Sequence, residues 1–298
     1  MFDGIISINK PINITSFKTV SEVKKRLCVK KAGHGGTLDP LASGVLLIFL
    51  NRATKFSKYA LDCKKKYLCK ITFGQATNTF DLEGEVTEQK EIPELSYEKL
   101  KLKLSELVGE IIQTPPKYSA VKIKGKPSYY YARKNIEITP KPRKVFLHDI
   151  SIEDWNGIDL VISVTTSKGF YIRTLADEIG KIFDSLSFLS DLKRTRVGPF
   201  EISNSIDLQD LLTQDLELLF DERILKHPDE LLEDYGSIQI NDNLIEKYVE
   251  KKIIDFKIKG QFENYKVYNQ SKFFLGTASY DNTNSTLIRN ELYKMPNS

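Results

Sequence analysis

The chain has 298 residues, 41% of them hydrophobic and 28% charged, with a formal net charge of +4. That is globular composition with room for one large domain and a small appendage, and no apolar run reaches membrane-spanning length. Met1-Phe2-Asp3-Gly4 lacks signal-peptide character, and Cys28, Cys63 and Cys69 show no paired zinc-type spacing, which points to a reducing, cytoplasmic location.

The charge is unevenly spread. Residues 1–80 carry 14 Lys/Arg against 4 Asp/Glu, whereas residues 205–298 carry 11 against 17. A basic N-terminal third suits a polyanion such as nucleic acid, although a solvated lysine face would give the same count.

Gly4-Ile5-Ile6-Ser7-Ile8 reads as a short strand closed by Asn9-Lys10-Pro11. Ser16 is then expected to cap a helix with Phe17, Val20, Val23 and Leu27 facing inward. Next comes Gly33-His34-Gly35-Gly36-Thr37-Leu38-Asp39-Pro40, a glycine cluster that permits a tight loop and close approach by another molecule. The apolar run 45–50 after it predicts a buried strand. On the residues alone Asp39 has two readings. It is a nucleophile, base or metal ligand held on a glycine loop, or it caps one helical turn with Pro40 at the first position.

Residues 52–61 predict a short helix. Tyr67, Cys69, Ile71 and Phe73 alternate with more polar positions, the pattern of a strand with one buried face, where Tyr67 would be a core or cross-strand aromatic. Residues 94–108 predict an amphipathic helix carrying Leu100, Leu104 and Leu107. Pro115-Pro116 breaks regular structure, and Lys124, Lys126 and Arg133 then interleave with Tyr129, Tyr130 and Tyr131. Such a segment can stack on unpaired bases and hold phosphates, or form a hairpin packing its tyrosines on the domain. A strand at 160–164 leads to Arg173 at a strand-to-helix transition, where a surface ion pair is the ordinary occupant. Residues 206–233 turn acidic and leucine-rich, suiting a capping helix and connector. Short strands are expected at 253–258, 265–268 and 273–275.

The run from Gly33 to Asp39, continued by Pro40-Leu41-Ala42-Ser43-Gly44-Val45-Leu46, resembles the signature of the tRNA pseudouridine synthase B family, the bacterial tRNA pseudouridine-55 synthases. Further blocks resemble the family in the same order: the Lys10-Pro11 turn, Lys65-Lys66-Tyr67, the loop 74–86, the segment 124–133, Lys168 to Thr174, and 192–200. Together the resemblance covers roughly residues 4–235. Two departures stand out, Asn78 where the family has aspartate and Asn135 where it has glycine.

The resemblance implies roles. Asp39 would be catalytic, Arg173 would pair with it and keep it ionised and aimed, and Tyr67 would lie against the target base. His34 would fill the space left by a flipped-out uridine, with Tyr171, Leu192 and Lys10 lining the site. An insertion at about 113–143, carrying Lys124, Lys126, Tyr129 and Arg133, would grip the RNA stem-loop. The implied fold is α+β, a mixed, mainly antiparallel sheet with flanking helices over 1–237, followed by a small β-rich PUA-like domain over 238–298. The implied reaction isomerises uridine 55 in the tRNA T-loop: the N1–C1′ bond breaks, the uracil turns and C5 joins C1′. No metal, nucleotide or redox cofactor and no obligatory protein partner is expected. Asp39 would attack C1′ or C6, or take the 2′-proton. The alternatives are a tRNA-binding chaperone without catalysis, a guide-directed synthase, and a metal-dependent nuclease, against which the lack of a carboxylate cluster counts.

Overall fold

The branched and aromatic residues of Ser43–Leu50 form a strand buried along almost its whole length. Gly4–Lys10 lies antiparallel on one side of it and Ser187–Val197 parallel on the other. This is a computed structural model, which describes residues 2–119, 121–132, 134, 136, 138–216, 224–258 and 262–293. Its large sheet runs in the order Ile206–Asp207, Gly4–Lys10, Ser43–Leu50, Ser187–Val197, Lys65–Phe73, Asp159–Thr166, Arg143–Trp155 and Gly109–Gln113. Among the described strands of this sheet, the first pair and the Ser43–Leu50/Ser187–Val197 pair are parallel and the rest antiparallel. The mixed, mainly antiparallel sheet expected from the sequence is the one present.

The helices Ser16–Arg26, Tyr97–Ser105 and Ile172–Ile182 contribute to one apolar core with that sheet. Val20 and Val23 join Ile6, Ile8 and Ile48, while Leu175 and Ile179 join Ile71 and Ile162. Each such side chain, fully buried, contributes about 1.5–3 kcal/mol. The first helix corrects one expectation. Its cap is Thr15, whose Oγ1 accepts from the Lys18 amide at 3.1 Å. Ser16 is instead buried, donating to the Leu38 carbonyl at 2.9 Å and accepting from its amide at 2.8 Å. Phe17 does not face inward; it is 79% exposed.

A second, five-stranded sheet follows in the order Gly236–Gln239, Asn264–Tyr268, Phe274–Asp281, Thr286–Leu292 and Ile253–Asp255. Its own core holds Ile240, Tyr248, Val267, Leu275 and Leu287. The helix Asp242–Lys251 and the strand Thr286–Leu292 had no counterpart in the sequence reading. The two parts share a third cluster. The Phe56 ring centroid lies 5.7 Å from those of both Phe274 and Tyr293, and the Tyr59 and Thr277 hydroxyls are 2.7 Å apart.

Candidate active site

The glycine run builds the approach to Asp39. Gly44 has φ +105°, and a Cβ there would stand 2.2 Å from the Arg194 carbonyl oxygen, so a larger residue would push the paired strands apart. The Asp39 carbonyl accepts from the Ala42 amide at 3.1 Å, and the Pro40 carbonyl from the Asn13 amide at 2.8 Å. Asp39 thus opens a turn, but no helical turn follows at Pro40 and the side chain that the plainer reading made its cap is committed elsewhere.

That side chain meets Arg173. Arg173 stands in the first turn of Ile172–Ile182, which places its guanidinium at the end of the sheet beside the glycine loop. Its Nη2 lies 3.0 Å from Asp39 Oδ2 and donates to the Tyr118 carbonyl at 2.9 Å. Its Nη1 lies 3.1 Å from Asp81 Oδ2. The guanidinium is therefore fixed between two carboxylates of unlike exposure, Asp81 at 2% and Asp39 at 39%. Asp81 is anchored in turn, because its Oδ1 accepts from Thr79 Oγ1 at 2.6 Å and from the Glu83 amide at 3.1 Å. Burial, with Asp81 and Asp39 nearby, raises the pKa of Glu83 on the same loop.

Sequence reasoning missed Asp81. Attention in the 74–86 loop went to Asn78, whose Oδ1 accepts from the Glu85 amide at 3.1 Å and closes the loop. The available signal was a pair of threonines and a carboxylate packed into a five-residue stretch.

Asp39 faces a cavity of about 700 Å³, lined also by Tyr67, Tyr171, Leu192 and Arg194. Register explains the grouping: Lys65–Phe73 and Ser187–Val197 pair so that Tyr67 lies opposite Arg194 and Cys69 opposite Leu192. Arg194, also missed, is buried. Its Nε donates to the Val45 carbonyl at 2.7 Å, its Nη1 to Thr37 at 3.4 Å and its Nη2 to Gly36 at 3.3 Å. Burial raises the pKa of Tyr67, and the Arg194 guanidinium bonded to its hydroxyl pulls in the opposite direction. Tyr67 is thus held as a neutral phenol at ordinary pH. Tyr171 is fastened through its backbone, its amide donating to Gln113 Oε1 at 3.0 Å and its carbonyl accepting from Gln113 Nε2 at 3.3 Å.

Two proposed site residues stand apart from this cavity. Lys10 does not face it. Its Nζ is buried and donates to the Pro11 and Ile14 carbonyls, each at 2.8 Å, so the residue braces the turn after the first strand. Burial pushes its pKa down to about 8, against an opposing pull from Asp39. His34 is not on an open loop either; it ends the short strand Ala32–His34, opposite Ile48. Burial, then the Arg194 charge, lowers its pKa, partly offset by the Gly36 backbone.

In the insertion, Lys122–Ile123 and Lys126–Pro127 form a small hairpin turning at Lys124 (φ 48°) and Gly125 (φ 84°). Lys124 is exposed at that turn. Lys126 Nζ lies 4.3 Å from the Tyr130 ring centroid and donates to its hydroxyl at 3.1 Å. Arg133 and the Tyr129 side chain lie outside the described residues. Tyr118, Ser119 and Val121 carry this insertion into the cavity wall.

Comparison with known proteins bears on what this geometry serves. The sequence model of TruB family pseudouridylate synthases, N-terminal domain, matches residues 24–172. A tRNA pseudouridine synthase B of Chromobacterium violaceum is 37% identical over 270 residues, covering 90% of this chain and 87% of the relative. Another, of Clostridium tetani, is 36% identical over 274 residues, covering 91% and 93%. Among solved structures, a chain in the crystal structure of a Cbf5-Nop10-Gar1 complex aligns with a TM-score of 0.76 at 24% identity, covering 99% of this chain and 86% of that one. The last likeness is one of fold.

Proposed function

The chain belongs to the TruB family of pseudouridylate synthases, and from that premise we propose that it converts uridine 55 to pseudouridine in the T-loop of tRNA, with Asp39 as the catalytic residue. One arrangement carries the reading: a half-exposed carboxylate whose Oδ2 is held by Arg173, facing a cavity of about 700 Å³ walled by Tyr67, Tyr171 and Leu192. With Oδ2 engaged, Oδ1 is the oxygen turned to substrate. A uridine must leave its stack to reach it, and the apolar Leu192 and the aromatic Tyr67 and Tyr171 suit a flipped pyrimidine. In the isomerisation the N1–C1′ bond breaks, the uracil turns, C5 bonds to C1′ and the C5 proton is lost while N1 gains one. No co-reactant is consumed. Arg173, clamped by Asp81 and the Tyr118 carbonyl, holds Asp39 in one orientation throughout.

We assign the chain up to residue 235 to catalysis and the rest to a PUA-like domain, two residues earlier than the expected 237/238 boundary because the strand Gly236–Gln239 opens the second sheet, a division supported by their separate apolar cores, and place the enzyme in the cytoplasm. No obligatory protein partner is part of this reading. The synthase names of the relatives support neither a chaperone without catalysis nor a nuclease. The test is tritium release from tRNA labelled at uridine C5. Asp39→Asn, nearly isosteric, should fall to background while tRNA affinity stays within a few-fold, since phosphate contacts dominate binding. Continued release by that variant would refute the catalytic assignment.

A further inference from the structure

Four cationic side chains line the cavity, and three of them have spent their donors on the protein. Arg173 is held by two carboxylates and a carbonyl. Arg194 is held by three carbonyls and Tyr67. Lys65 Nζ donates to the Ala60, Leu61 and Cys63 carbonyls at 2.8, 2.6 and 2.7 Å, capping the helix Ser57–Asp62.

Arg143 is different. Among the described residues it has no carboxylate partner, and its Nε is buried without a hydrogen bond. The guanidinium is nevertheless fixed in place. Its Nη2 donates to the Gly169 carbonyl, and its centre lies 5.0 Å from the Tyr171 ring centroid. Gly169 has φ +78°, and a Cβ there would come within 3.2 Å of the guanidinium carbon, so glycine is what permits this seat. In the same cavity wall Ser119 is 4% exposed, and its Oγ is likewise buried without a partner. An unpaired buried donor is costly, so two of them lining one cavity call for an acceptor that arrives with the ligand.

We propose that Arg143 and Ser119 form a subsite for a backbone phosphate flanking the target uridine, an inference that rests on the RNA-modifying function above. Arg Nε–H is a donor only, and a guanidinium without a carboxylate asks for an anion rather than a neutral carbonyl. A phosphodiester brings both the charge and the acceptor oxygens. It is also separated from C1′ by only the ribose, so holding it would set the sugar in front of Asp39. The phosphate is either the 5′ or the 3′ neighbour, and these share the same chemistry.

The experiment uses the full chain and T-arm RNA in which one phosphate, 5′ or 3′ of the target, is a neutral methylphosphonate. Affinity and single-turnover tritium release are both measured. For the wild type, one of the two substitutions should weaken binding or kcat/KM by about 10- to 100-fold, the worth of a lost charge-assisted hydrogen bond. Arg143→Met should lose a similar factor on unmodified RNA and then be indifferent, within about 3-fold, to the same methylphosphonate. Arg143→Lys should recover part of the loss and part of the sensitivity, and Ser119→Ala should show about a 3- to 10-fold loss. Equal sensitivity in wild type and Arg143→Met would overturn the subsite. Insensitivity of the wild type to both substitutions would overturn it too, and would leave a uracil carbonyl as the group these donors meet. Affinity reads the subsite even if the wild type releases no tritium, a result that would refute the synthase reading instead.

Discussion

Replacing Arg194 by lysine should loosen the site without removing any group that meets substrate oxygen by charge. The guanidinium now ties Gly36 and Thr37, three and two residues before Asp39, to Val45 on the central strand and to the Tyr67 hydroxyl. A lysine keeps the charge but offers one nitrogen, which cannot span these positions. The Val45 bond is short at 2.7 Å, while the other two, at 3.4 and 3.3 Å, are long. Charged donors contribute about 1.5–3 kcal/mol each, so counting the first in full and the long pair at less than half gives a loss of about 3 kcal/mol. For a chain of 298 residues that corresponds to a Tm lower by about 5 °C. Freeing the backbone next to Asp39 should also cost about 10- to 100-fold in kcat, because misplacement of a reacting group by an ångström is that expensive, with KM nearly unchanged. Thermal unfolding and single-turnover tritium release well below Tm measure the two effects. A Tm within 2 °C and a rate within about 2-fold of wild type would show that the clamp does not position the loop.

Asp81→Asn keeps the acceptor for Thr79 and Glu83 but turns an amide NH₂ toward Arg173 Nη1; turnover should drop by about 10-fold or more and stability by about 2–4 kcal/mol, and unchanged values in a melt and a rate assay would place Asp81 outside the network. Lys10 has a folded pKa of about 8, below its ordinary 10.5, so between those values the unfolded chain binds a proton that the folded one has released. Stability from this group therefore rises with pH, and urea unfolding from pH 7.5 to 10 should show the wild type gaining relative to Lys10→Met; a falling difference would mean that the amine keeps its proton. Phe274→Ala, which empties a ring contact shared with Phe56, Tyr268 and Tyr293, should cost about 3–5 kcal/mol in urea unfolding while kcat at saturating tRNA stays within 2-fold, because no cavity residue is touched. A stable variant would mean that the C-terminal sheet is only loosely docked.

The sequence carried the parts of the site that are written as local runs. Gly33 to Asp39 is contiguous, and Tyr67 and Arg173 stand inside short blocks whose order along the chain could be matched. Strand pairing is what the sequence does not print. Arg194 is a clamp only because Ser187–Val197 lies between Ser43–Leu50 and Lys65–Phe73, a neighbour relation made across 120 to 150 residues. The same holds for Asp81, which reaches Arg173 from a loop bridged to Leu189. Phe17 failed for a smaller reason. Val20, Val23 and Leu27 are buried as their spacing predicts, but in the first turn Ser16 takes the inward place, bonded to Leu38, and the Phe17 ring beside it is left exposed. Lys10 was placed in the site by the resemblance alone, and nothing local in Asn9-Lys10-Pro11 says that its amine turns back onto the Pro11 and Ile14 carbonyls.

The unlike exposure of the two carboxylates on Arg173 has an energetic logic. Burying both, with the arginine, would incur the desolvation of three charges before any substrate arrived. Burying Asp81 alone, with its second oxygen supplied by Thr79 and the Glu83 amide, fixes the guanidinium at a cost that those hydrogen bonds offset. Asp39 can then remain in contact with water in the free protein. When a nucleotide fills the cavity, that water leaves and the Asp39–Arg173 interaction strengthens as the local dielectric falls. On the proposed catalytic reading of Asp39, the carboxylate is then held most firmly when a sugar stands in front of it, and the buried Asp81 keeps the arginine from following Asp39 toward it.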